Sequence, residues 1–455
     1  MSLSVVILAA GQGTRMNSRL PKVLQPLAGR PLLEHVLNTC AEIDAGEIHV
    51  VIGHGAEAVR EAFAGREVTW VEQPEQLGTG HAVAQALPGF ANDDIALVLY
   101  GDVPLVRSTT LRELVAAARA DHIAVLTAKL DDPTGYGRIV RGDRGRVTRI
   151  VEEKDASESE REIGEVNTGL IACQVRLLRK WVGELSADNA QGEYYLTDII
   201  GMAVRDGLKV RTTQPESKSE ILGVNDRLQL AELEAVLRRR NADVLLNAGV
   251  TLIDPARVDV RGTLECGHDV TIDVNVVFEG NVKLDNNVSI GPNCYIRESQ
   301  IEQDCRVLPN TFIDNAHIGP RSQIGPFARV RPETYTGSDV RIGNFVEVKK
   351  SVIGKASKVS HLTYLGDTTI GKNTNIGAGT ITCNYDGVNK YRTKIGDDAF
   401  IGSGTNLVAP VEVGDGANIG AGSTITKDAP AGKLTVSRGR QTTVEGWKRP
   451  EKKAK

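Results

Sequence analysis

Two hydrophobic rhythms divide the chain. In the first half, continuous apolar runs at 4–8, 48–52 and 95–100 alternate with helical patterns at 31–43 and 111–119. Strands without polar alternation are typical of a parallel sheet covered by helices on both faces, so this half is predicted to be an α/β domain of the doubly wound kind. Ligands of such sheets bind beyond the carboxyl ends of the strands.

The second half repeats with a period of six. Apolar residues recur at every sixth position in two separated segments, Val270, Val276, Val282 and Val288, then Ile395, Ile401, Leu407, Val413, Ile419 and Ile425. Further isoleucines, each followed by glycine, lie between them at 290, 318, 324, 342, 353, 370 and 376. Three hexads form one triangular coil, and stacked coils enclose an apolar lumen, so the pattern predicts a parallel β-solenoid.

This six-residue rhythm breaks once. Ile381 and Ile395 lie 14 residues apart (395 − 381), where two hexads need 12. A loop is therefore predicted to leave the coil around 382–387.

A single amphipathic stretch separates the two rhythms. Residues 227–248 place Leu230, Leu233, Leu237 and Val244 on one helical stripe, and Gly249 is a stop signal. The predicted organisation is a first domain over 1–226, a linker helix over 227–248 and a solenoid domain over 249–455. An alternative, in which the helix simply ends the first domain, changes only the boundary.

Composition narrows the class of protein. The 455 residues exceed one ordinary core, and a net charge of -4 gives no sign of nucleic-acid binding. No run of about 18 apolar residues predicts membrane insertion, so we expect a cytoplasmic protein. The basic tail over 446–455 is expected to be solvated and mobile. The six scattered cysteines are expected to be buried free thiols rather than zinc ligands or disulfides.

A glycine-rich loop follows the first apolar run. Gly11 and Gly13 let the backbone approach a phosphate, and Arg15 and Lys22 supply positive charge. A Gly-x-Gly pair alone is as often a plain turn, and neither the dinucleotide fingerprint nor Walker A spacing is completed here. The added cations favour a nucleoside phosphate as ligand.

Two oxygen-bearing residues are candidate cation ligands. Asp102 follows the buried run 95–100, where a carboxylate could bridge a hard cation to phosphate oxygens. Its alternative is a turn or helix-capping role before the helical pattern at 111. Asn225 precedes the linker helix, and spacing alone favours a helix cap there, with Asp226 as the other capping candidate.

The span from Leu8 to Leu24 resembles the signature loop of sugar-phosphate nucleotidyltransferases, Leu-Ala-Ala-Gly-x-Gly-Thr-Arg-Met followed by Leu-Pro-Lys-x-Leu. The resemblance implies Asp102 and Asn225 as Mg²⁺ ligands, catalytic roles for Arg15 and Lys22, and contacts of Gln73, Gly78 and Thr79 with uracil. It implies that Gly137, Glu152 and Asn167 hold the sugar. The remaining residues implied for the nucleotide and sugar are Leu8, Ala9, Ala10, Gly11, Tyr100 and Gly101.

The solenoid carries chemistry of its own. Its repeats resemble the left-handed β-helix of hexapeptide-repeat acyltransferases over about 252–430, which implies a homotrimer that binds acyl-CoA between coils. His361 is a candidate base, because imidazole can take a proton from a substrate ammonium near neutral pH. A lone histidine in a coil is more often a surface or stacking residue, but the cations Arg331 and Lys349 and the predicted loop favour a site.

Both halves, in order, resemble the bifunctional N-acetylglucosamine-1-phosphate uridylyltransferases that also acetylate glucosamine 1-phosphate. The resemblance implies that glucosamine 1-phosphate is held by Arg331, Lys349, Tyr364 and Asn375, and acetyl-CoA by Ala378, Asn384, Tyr385, Ser403, Ala421 and Arg438. It implies acetyl transfer from acetyl-CoA, then uridylyl transfer from UTP to N-acetylglucosamine 1-phosphate, supplying a precursor of peptidoglycan and lipopolysaccharide. The alternatives are a one-activity nucleotidyltransferase with a structural or regulatory solenoid, and a non-catalytic assembly subunit.

Overall fold

The computed structural model describes residues 2–119, 122–450 and 452. The chain divides into two compact units, Met1–Leu237 and Arg238–Lys455. This division falls inside a continuous helix, and the domain boundaries at 226 and 249 remain a prediction. Of the tail, residues 440–450 are exposed, and 451 and 453–455 lie outside the described part of the chain.

The first unit alternates strands and helices. Its strands are β1 (Leu3–Ala9), β2 (Glu47–Ile52), β3 (Thr69–Glu72), β4 (Ile95–Tyr100), β5 (Ile123–Lys129), β6 (Arg138–Arg141), β7 (Val147–Val151), β8 (Glu165–Gln174) and β9 (Val210–Thr213). Its helices are α1 (Leu32–Glu42), α2 (Ala56–Ala62), α3 (Thr79–Ala86), α4 (Ser108–Ala117), α5 (Glu158–Arg161), α6 (Val175–Val182) and α7 (Asp198–Arg205). A short ribbon pairs Pro26–Leu27 with Arg30–Pro31.

The main sheet has the order β9-β5-β8-β4-β1-β2-β3. The pairs of β1 with β2 and β4, of β2 with β3 and of β5 with β9 are parallel, as predicted. Strand β8 differs from the expectation of an all-parallel sheet, because it runs antiparallel to both β4 and β5. The hairpin β6–β7 attaches beside it through β6.

Apolar residues on both faces of the sheet explain the continuous hydrophobic runs. Val5 and Ile7 of β1 pack in one cluster with residues of α1 and α4, whereas Val6 packs on the opposite face in a cluster with residues of α3, α6 and α7. Side chains of a strand alternate between faces, so a strand covered on both sides must be apolar throughout.

Helix α8 (Arg227–Asn247) follows the first unit's last turn. Leu230 and Leu233 pack in the first unit, whereas Ala242 and Leu245 pack in the second unit's core. The predicted stripe is wrong at Val244, which is 67% exposed. The stripe changes direction because each end of the helix packs against a different core.

The second unit is a stack of parallel strands. One sheet contains Thr251–Leu252, Thr271–Ile272, Ser289–Ile290, Arg306–Val307, Gln323–Ile324, Arg341–Asn344, Lys358–His361, Asn375–Ile376, Phe400–Ile401, Asn418–Ile419 and Leu434–Thr435. The other contains Val258–Cys266, Val276–Leu284, Tyr295–Arg297, Gln300–Ile301, Phe312–Asp314, Ala316–Ile318, Arg329–Val330, Thr334–Thr336, Glu347–Lys349, Val352–Ile353, Tyr364–Gly366, Thr368–Ile370, Ile381–Cys383, Thr393–Ile395, Asn406–Val408, Val411–Val413 and Thr424–Ile425.

The hexad residues fill the lumen, as predicted. The residues of the two six-residue series and the isoleucines between them are buried to 3% exposure or less. Ile381 differs from the expectation: it is 36% exposed, and Thr382, 1% exposed and paired with Leu407, points into the lumen instead. Glycine follows many of them because the next coil passes very close: a Cβ on Gly402 would lie 2.4 Å from the backbone nitrogen of Ala421. Burial of a continuous apolar column stabilises a stack in which each coil contacts only its neighbours.

The predicted loop is present, but it begins later and is longer than the sequence indicated, because Thr382 and Cys383 still belong to a strand. Ile353 pairs with Ile370, 17 residues on, whereas Ile370 pairs with Ile395, 25 residues on, so this coil holds eight extra residues (25 − 17). They leave the stack between Cys383 and Thr393.

All six cysteines are free thiols, four buried and two, Cys266 and Cys383, partly buried. Within the described residues, no helix is long and apolar enough to cross a membrane.

Candidate functional sites

A cleft of about 360 Å³ opens at the carboxyl ends of β1 and β4. Ten of the predicted nucleotide-binding residues line it, Leu8, Ala9, Ala10, Gly11, Lys22, Gln73, Gly78, Thr79, Tyr100 and Asp102. Gly101 lies at the end of β4, where a Cβ would come within 3.2 Å of Val23 and 3.3 Å of Ala9. The sheet therefore brings together residues that the sequence separates by up to about ninety positions.

Lys22 and Asp102 line this cleft, and Asn225, which is outside the lining residues, contacts Lys22. The Lys22 ammonium donates to the Asp102 carboxylate and to Oδ1 of Asn225, the latter at 3.2 Å. The side chains of Lys22 and Asp102 are 14% and 16% exposed. Burial of this kind strengthens an ion pair, because little water competes for either charge.

Neither oxygen donor serves as a helix cap. Helix α4 begins at Ser108 after Arg107, so Asp102 lies too far upstream to cap it. At α8 the carboxylate of Asp226 accepts the backbone N–H of Gln229 at 2.9 Å, which makes Asp226 the capping residue. Asp102 and Asn225 are thus available for a ligand.

The donor set fits a magnesium ion. A carboxylate oxygen and an amide oxygen already share one positive charge, the Lys22 ammonium. Mg²⁺ prefers oxygen ligands and is commonly held by one or two protein groups, with water and phosphate completing the shell. No group of three or more His, Cys, Asp or Glu side chains arranged for a metal occurs among the described residues.

Arg15 is placed differently from Lys22. It lies on a 3-10 turn, Thr14–Met16, entered through Gly13 with φ 62°. Its side chain is exposed, and Arg15 is outside the residues that line the cleft. Met16 of the same turn is buried and anchors it.

The sugar residues predicted from the sequence gather around β6 and β8. The backbone N–H of Asn167 donates to the carbonyl of Gly137 at 2.8 Å, and a Cβ on Gly137 would lie 3.3 Å from the Glu152 carboxylate. Thr197 Oγ1 donates to Glu152 at 2.9 Å. Burial raises the pKa of the Glu152 carboxyl. These three residues form one neighbourhood.

Cations cluster on one face of the solenoid. Arg331 donates to the Glu347 carboxylate at 2.7 Å. Lys349 lies two residues after Glu347 in the strand Glu347–Lys349. The positive charge of Lys390, together with burial and Arg331, lowers the pKa of the Lys349 ammonium. Glu347 balances only part of the positive charge of Arg331, Lys349 and Lys390, and such a cluster favours binding of an anion such as phosphate.

Tyr364 and Asn384 lie beside this cluster. Tyr364 pairs in register with Glu347, and Lys349 pairs with Gly366. Asn384 Nδ2 donates to Asp367 at 2.6 Å. A Cβ on Gly366 would lie 2.5 Å from the Tyr364 hydroxyl and 2.7 Å from Asn384 Nδ2, so both side chains pass directly over this glycine.

His361 ends a strand of the other sheet. Its Nδ1 atom lies 2.7 Å from Oδ1 of Asn344, the residue paired with it one coil earlier. The ring is exposed. Because an amide oxygen only accepts, Nδ1 carries the proton and Nε2 is left as a basic atom. Asn375 lies in the next strand of that sheet, paired with Lys358.

The residues predicted for acetyl-CoA form a line along the stack. The N–H of Gly404, next to Ser403, donates to the Ala378 carbonyl at 2.7 Å. The N–H of Gly422, next to Ala421, donates to the Ser403 carbonyl at 2.8 Å. Arg438 continues the line, since Nη1 donates to the Ala421 carbonyl at 2.8 Å. Tyr385 lies in the extra loop and is 58% exposed.

Several site residues were not predicted. Val23, Ala82 and Glu193 line the first cleft, and Lys390 of the loop forms a backbone bridge with Tyr385. Gln76, which belongs to the same amide-bearing segment as Gln73, also lines the cleft and donates to the Ala10 carbonyl at 2.7 Å. The cations Arg331 and Lys349 could have suggested Lys390 as a third. Glu193 lies 91 residues beyond Asp102, the nearest of the other lining residues in the sequence (193 − 102), and no local signal marks it.

Sequence comparisons agree with this architecture. A MobA-like NTP transferase domain matches residues 5–165, a GMPPB C-terminal domain 260–342 and six bacterial transferase hexapeptide repeats 392–427. The fold and sites therefore define a nucleotidyltransferase joined to a hexapeptide-repeat transferase.

Full-length relatives identify the family. The protein named "Bifunctional protein GlmU" of Azoarcus sp. strain BH72 is 59% identical to this chain, over 99% of the chain and 100% of that protein. The protein of the same name from Aromatoleum aromaticum is 58% identical, over 99% of each. In Ralstonia nicotianae the identity is 57% over the full length of both. The chain belongs to the bifunctional GlmU family. It is an enzyme of UDP-N-acetylglucosamine synthesis with both acetyltransferase and uridylyltransferase activities.

Proposed function

We propose that the first cleft carries out the uridylyl transfer with Mg²⁺ at Asp102 and Asn225. One observation supports this: side-chain oxygens of both residues accept from the same ammonium, Nζ of Lys22. The distance from Nζ to Oδ1 of Asn225 is 3.2 Å. When bound there, Mg²⁺ would neutralise negative charge on the phosphates.

The protein's share of the reaction is positioning and charge neutralisation. A phosphate oxygen of N-acetylglucosamine 1-phosphate attacks the α-phosphorus of UTP in line, and pyrophosphate leaves. Lys22 stabilises the charge that develops on the phosphates, and the backbone at Gly11 approaches them closely. Arg15, on its exposed turn, binds the outgoing phosphates from the solvent side.

Gln73, Gly78 and Thr79 bind uracil, and Glu152 and Asn167 bind the sugar. The half-buried carboxylate of Glu152 and the buried amide of Asn167 are suited to a sugar hydroxyl and an N-acetyl group, respectively. The Thr197 hydroxyl holds Glu152 toward Gly137, whose missing side chain leaves space for the sugar.

We propose that the solenoid acetylates glucosamine 1-phosphate. Arg331 and Lys349 bind the phosphate, with Tyr364 and Asn375 orienting the sugar. His361 Nε2 removes a proton from the substrate ammonium, and Asn344 holds the ring in the tautomer that leaves Nε2 unprotonated. The free amine then attacks the thioester carbonyl, and coenzyme A leaves as the thiol.

Acetyl-CoA lies along the line from Ala378 to Arg438. Small residues at Ala378, Ser403 and Ala421 leave a shallow path down successive coils, and Asn384 and Tyr385 of the extra loop bind its thioester end. Because UTP and acetyl-CoA are intracellular metabolites, we place the enzyme in the cytoplasm.

We further propose a homotrimer. Phe327, Phe345 and Leu362 form a ladder at one corner of the coil, 49%, 57% and 60% exposed, with the two phenyl centroids 5.5 Å apart. Contiguous exposed apolar side chains of this kind are typical of an interface. Sedimentation of the whole chain tests this: we expect three times the 48.9 kDa chain mass, and a monomer would contradict it.

The assignment of two separate sites is tested by paired assays on single variants. Lys22→Met is expected to abolish pyrophosphate release and leave thiol release from acetyl-CoA unchanged, and Lys349→Met the reverse. Loss of both activities in either variant, with the thermal melt unchanged, would contradict separate sites.

A further inference from the structure

His81 joins two glutamine side chains at the edge of the nucleotide cleft. Nδ1 of its ring lies 3.1 Å from Nε2 of Gln73, and its Nε2 lies 3.1 Å from Nε2 of Gln85. Gln73 is 5% exposed, whereas Gln85 is exposed. His81 itself is not among the residues that line the cleft.

These contacts fix the orientation of the Gln73 amide. Nε2 of Gln73 also lies 3.2 Å from the carbonyl oxygen of Gly78, and a carbonyl can only accept a hydrogen bond. The amide nitrogen must therefore face Gly78, and its second hydrogen is donated to Nδ1 of His81. The ring then carries its proton on Nε2, so Gln85 must present its carbonyl oxygen to that proton.

One polar atom of Gln73 remains for a ligand. With both amide hydrogens used, no described residue donates to Oε1, and Gln73 lines the cleft. An oxygen that only accepts can pair with the N3–H of uracil. It would meet the N3 lone pair of cytosine, which has no hydrogen there, so the same oxygen repels that base.

We propose that His81 is a positioning residue that selects uracil over cytosine by holding Oε1 of Gln73 toward the base. This inference rests on the proposed placement of uracil at Gln73. Without His81 the amide keeps only the bond to Gly78 and rotates more freely. The flipped amide presents Nε2 to the base, which suits the cytosine N3 acceptor.

The experiment measures kcat/KM for UTP and for CTP with N-acetylglucosamine 1-phosphate, in the full-length enzyme. His81→Leu removes the acceptor and keeps an apolar side chain of similar size. His81→Asn is the matched control, because its Oδ1 can accept from Gln73 near the position of Nδ1. Acetyl transfer and the thermal melt report folding, and Gln73→Ala tests the placement of the base separately.

We expect His81→Leu to lower the ratio of UTP to CTP efficiency by about 3- to 10-fold, the equivalent of one hydrogen bond. The change should appear mainly as a higher KM for UTP, and His81→Asn should restore the ratio. Equal losses with both nucleotides, or an unchanged ratio while Gln73→Ala lowers it, would overturn the role of His81. An unchanged ratio in Gln73→Ala would overturn the placement of uracil itself.

Discussion

Replacing Asp102 by asparagine removes one negative charge from the nucleotide cleft and keeps the shape of the side chain. Asp102 and Lys22 form an ion pair with both side chains at least four-fifths buried. At a separation of about 4 Å and an effective dielectric of about 20, two unit charges interact by about 4 kcal/mol. Loss of one preorganised electrostatic contact commonly lowers kcat by about 10²–10³, which is of the same order.

We therefore expect Asp102→Asn to lower uridylyl transfer by about 10²–10³, measured as pyrophosphate release across a Mg²⁺ titration. Acetyl transfer should be unchanged. Asp226→Asn is the matched control, since asparagine caps a helix as well as aspartate does, and it should keep both activities. Pyrophosphate release by Asp102→Asn within about threefold of the unmodified enzyme, under 1 kcal/mol, would refute the reasoning.

Three other changes affect the second unit. His361→Ala should lower acetyl transfer by about 10²–10⁴ and spare uridylyl transfer; an unchanged rate of thiol release would remove His361 as the base. Gly366→Ala should raise the KM values for glucosamine 1-phosphate and for acetyl-CoA several-fold, because a Cβ would displace Tyr364 and Asn384, respectively; two unchanged KM values would show that Tyr364 does not bind the sugar and that Asn384 does not bind acetyl-CoA. Ile401→Ala should lower the free energy of unfolding by about 2–5 kcal/mol in a urea titration, since Ile401 is fully buried in the lumen. A loss below about 0.5 kcal/mol would contradict a tightly packed lumen.

Residues that belong to a repeat or a short motif could be predicted from the sequence. The hexad residues are buried because each coil turns its apolar positions inward. The six-residue spacing of these positions is visible in the sequence itself. The loop at Cys383–Thr393 was visible as a break in that register. Asp102 was predicted because it follows a buried strand.

Residues positioned by long-range packing could not be predicted in this way. Strand β8 runs antiparallel to β4. Its direction is set by the connection that leads into it, and the apolar pattern of a strand carries no information about direction. Val244 is exposed because the apolar stripe of α8 changes direction between two cores. Glu193 reaches the cleft only through the fold. Spacing favoured Asn225 as a helix cap, and two contacts in the fold separate the roles: Lys22 donates to Asn225, and Asp226 accepts the backbone N–H of Gln229.

The central claim is that one chain makes UDP-N-acetylglucosamine from glucosamine 1-phosphate by two reactions at two sites. The direct measurement incubates the purified protein with glucosamine 1-phosphate, acetyl-CoA, UTP and Mg²⁺ and follows thiol, pyrophosphate and nucleotide sugar together. We expect thiol release to precede pyrophosphate release, and omission of acetyl-CoA to abolish the nucleotide sugar. Pyrophosphate release from glucosamine 1-phosphate without acetyl-CoA, or no thiol release with it, would contradict the claim.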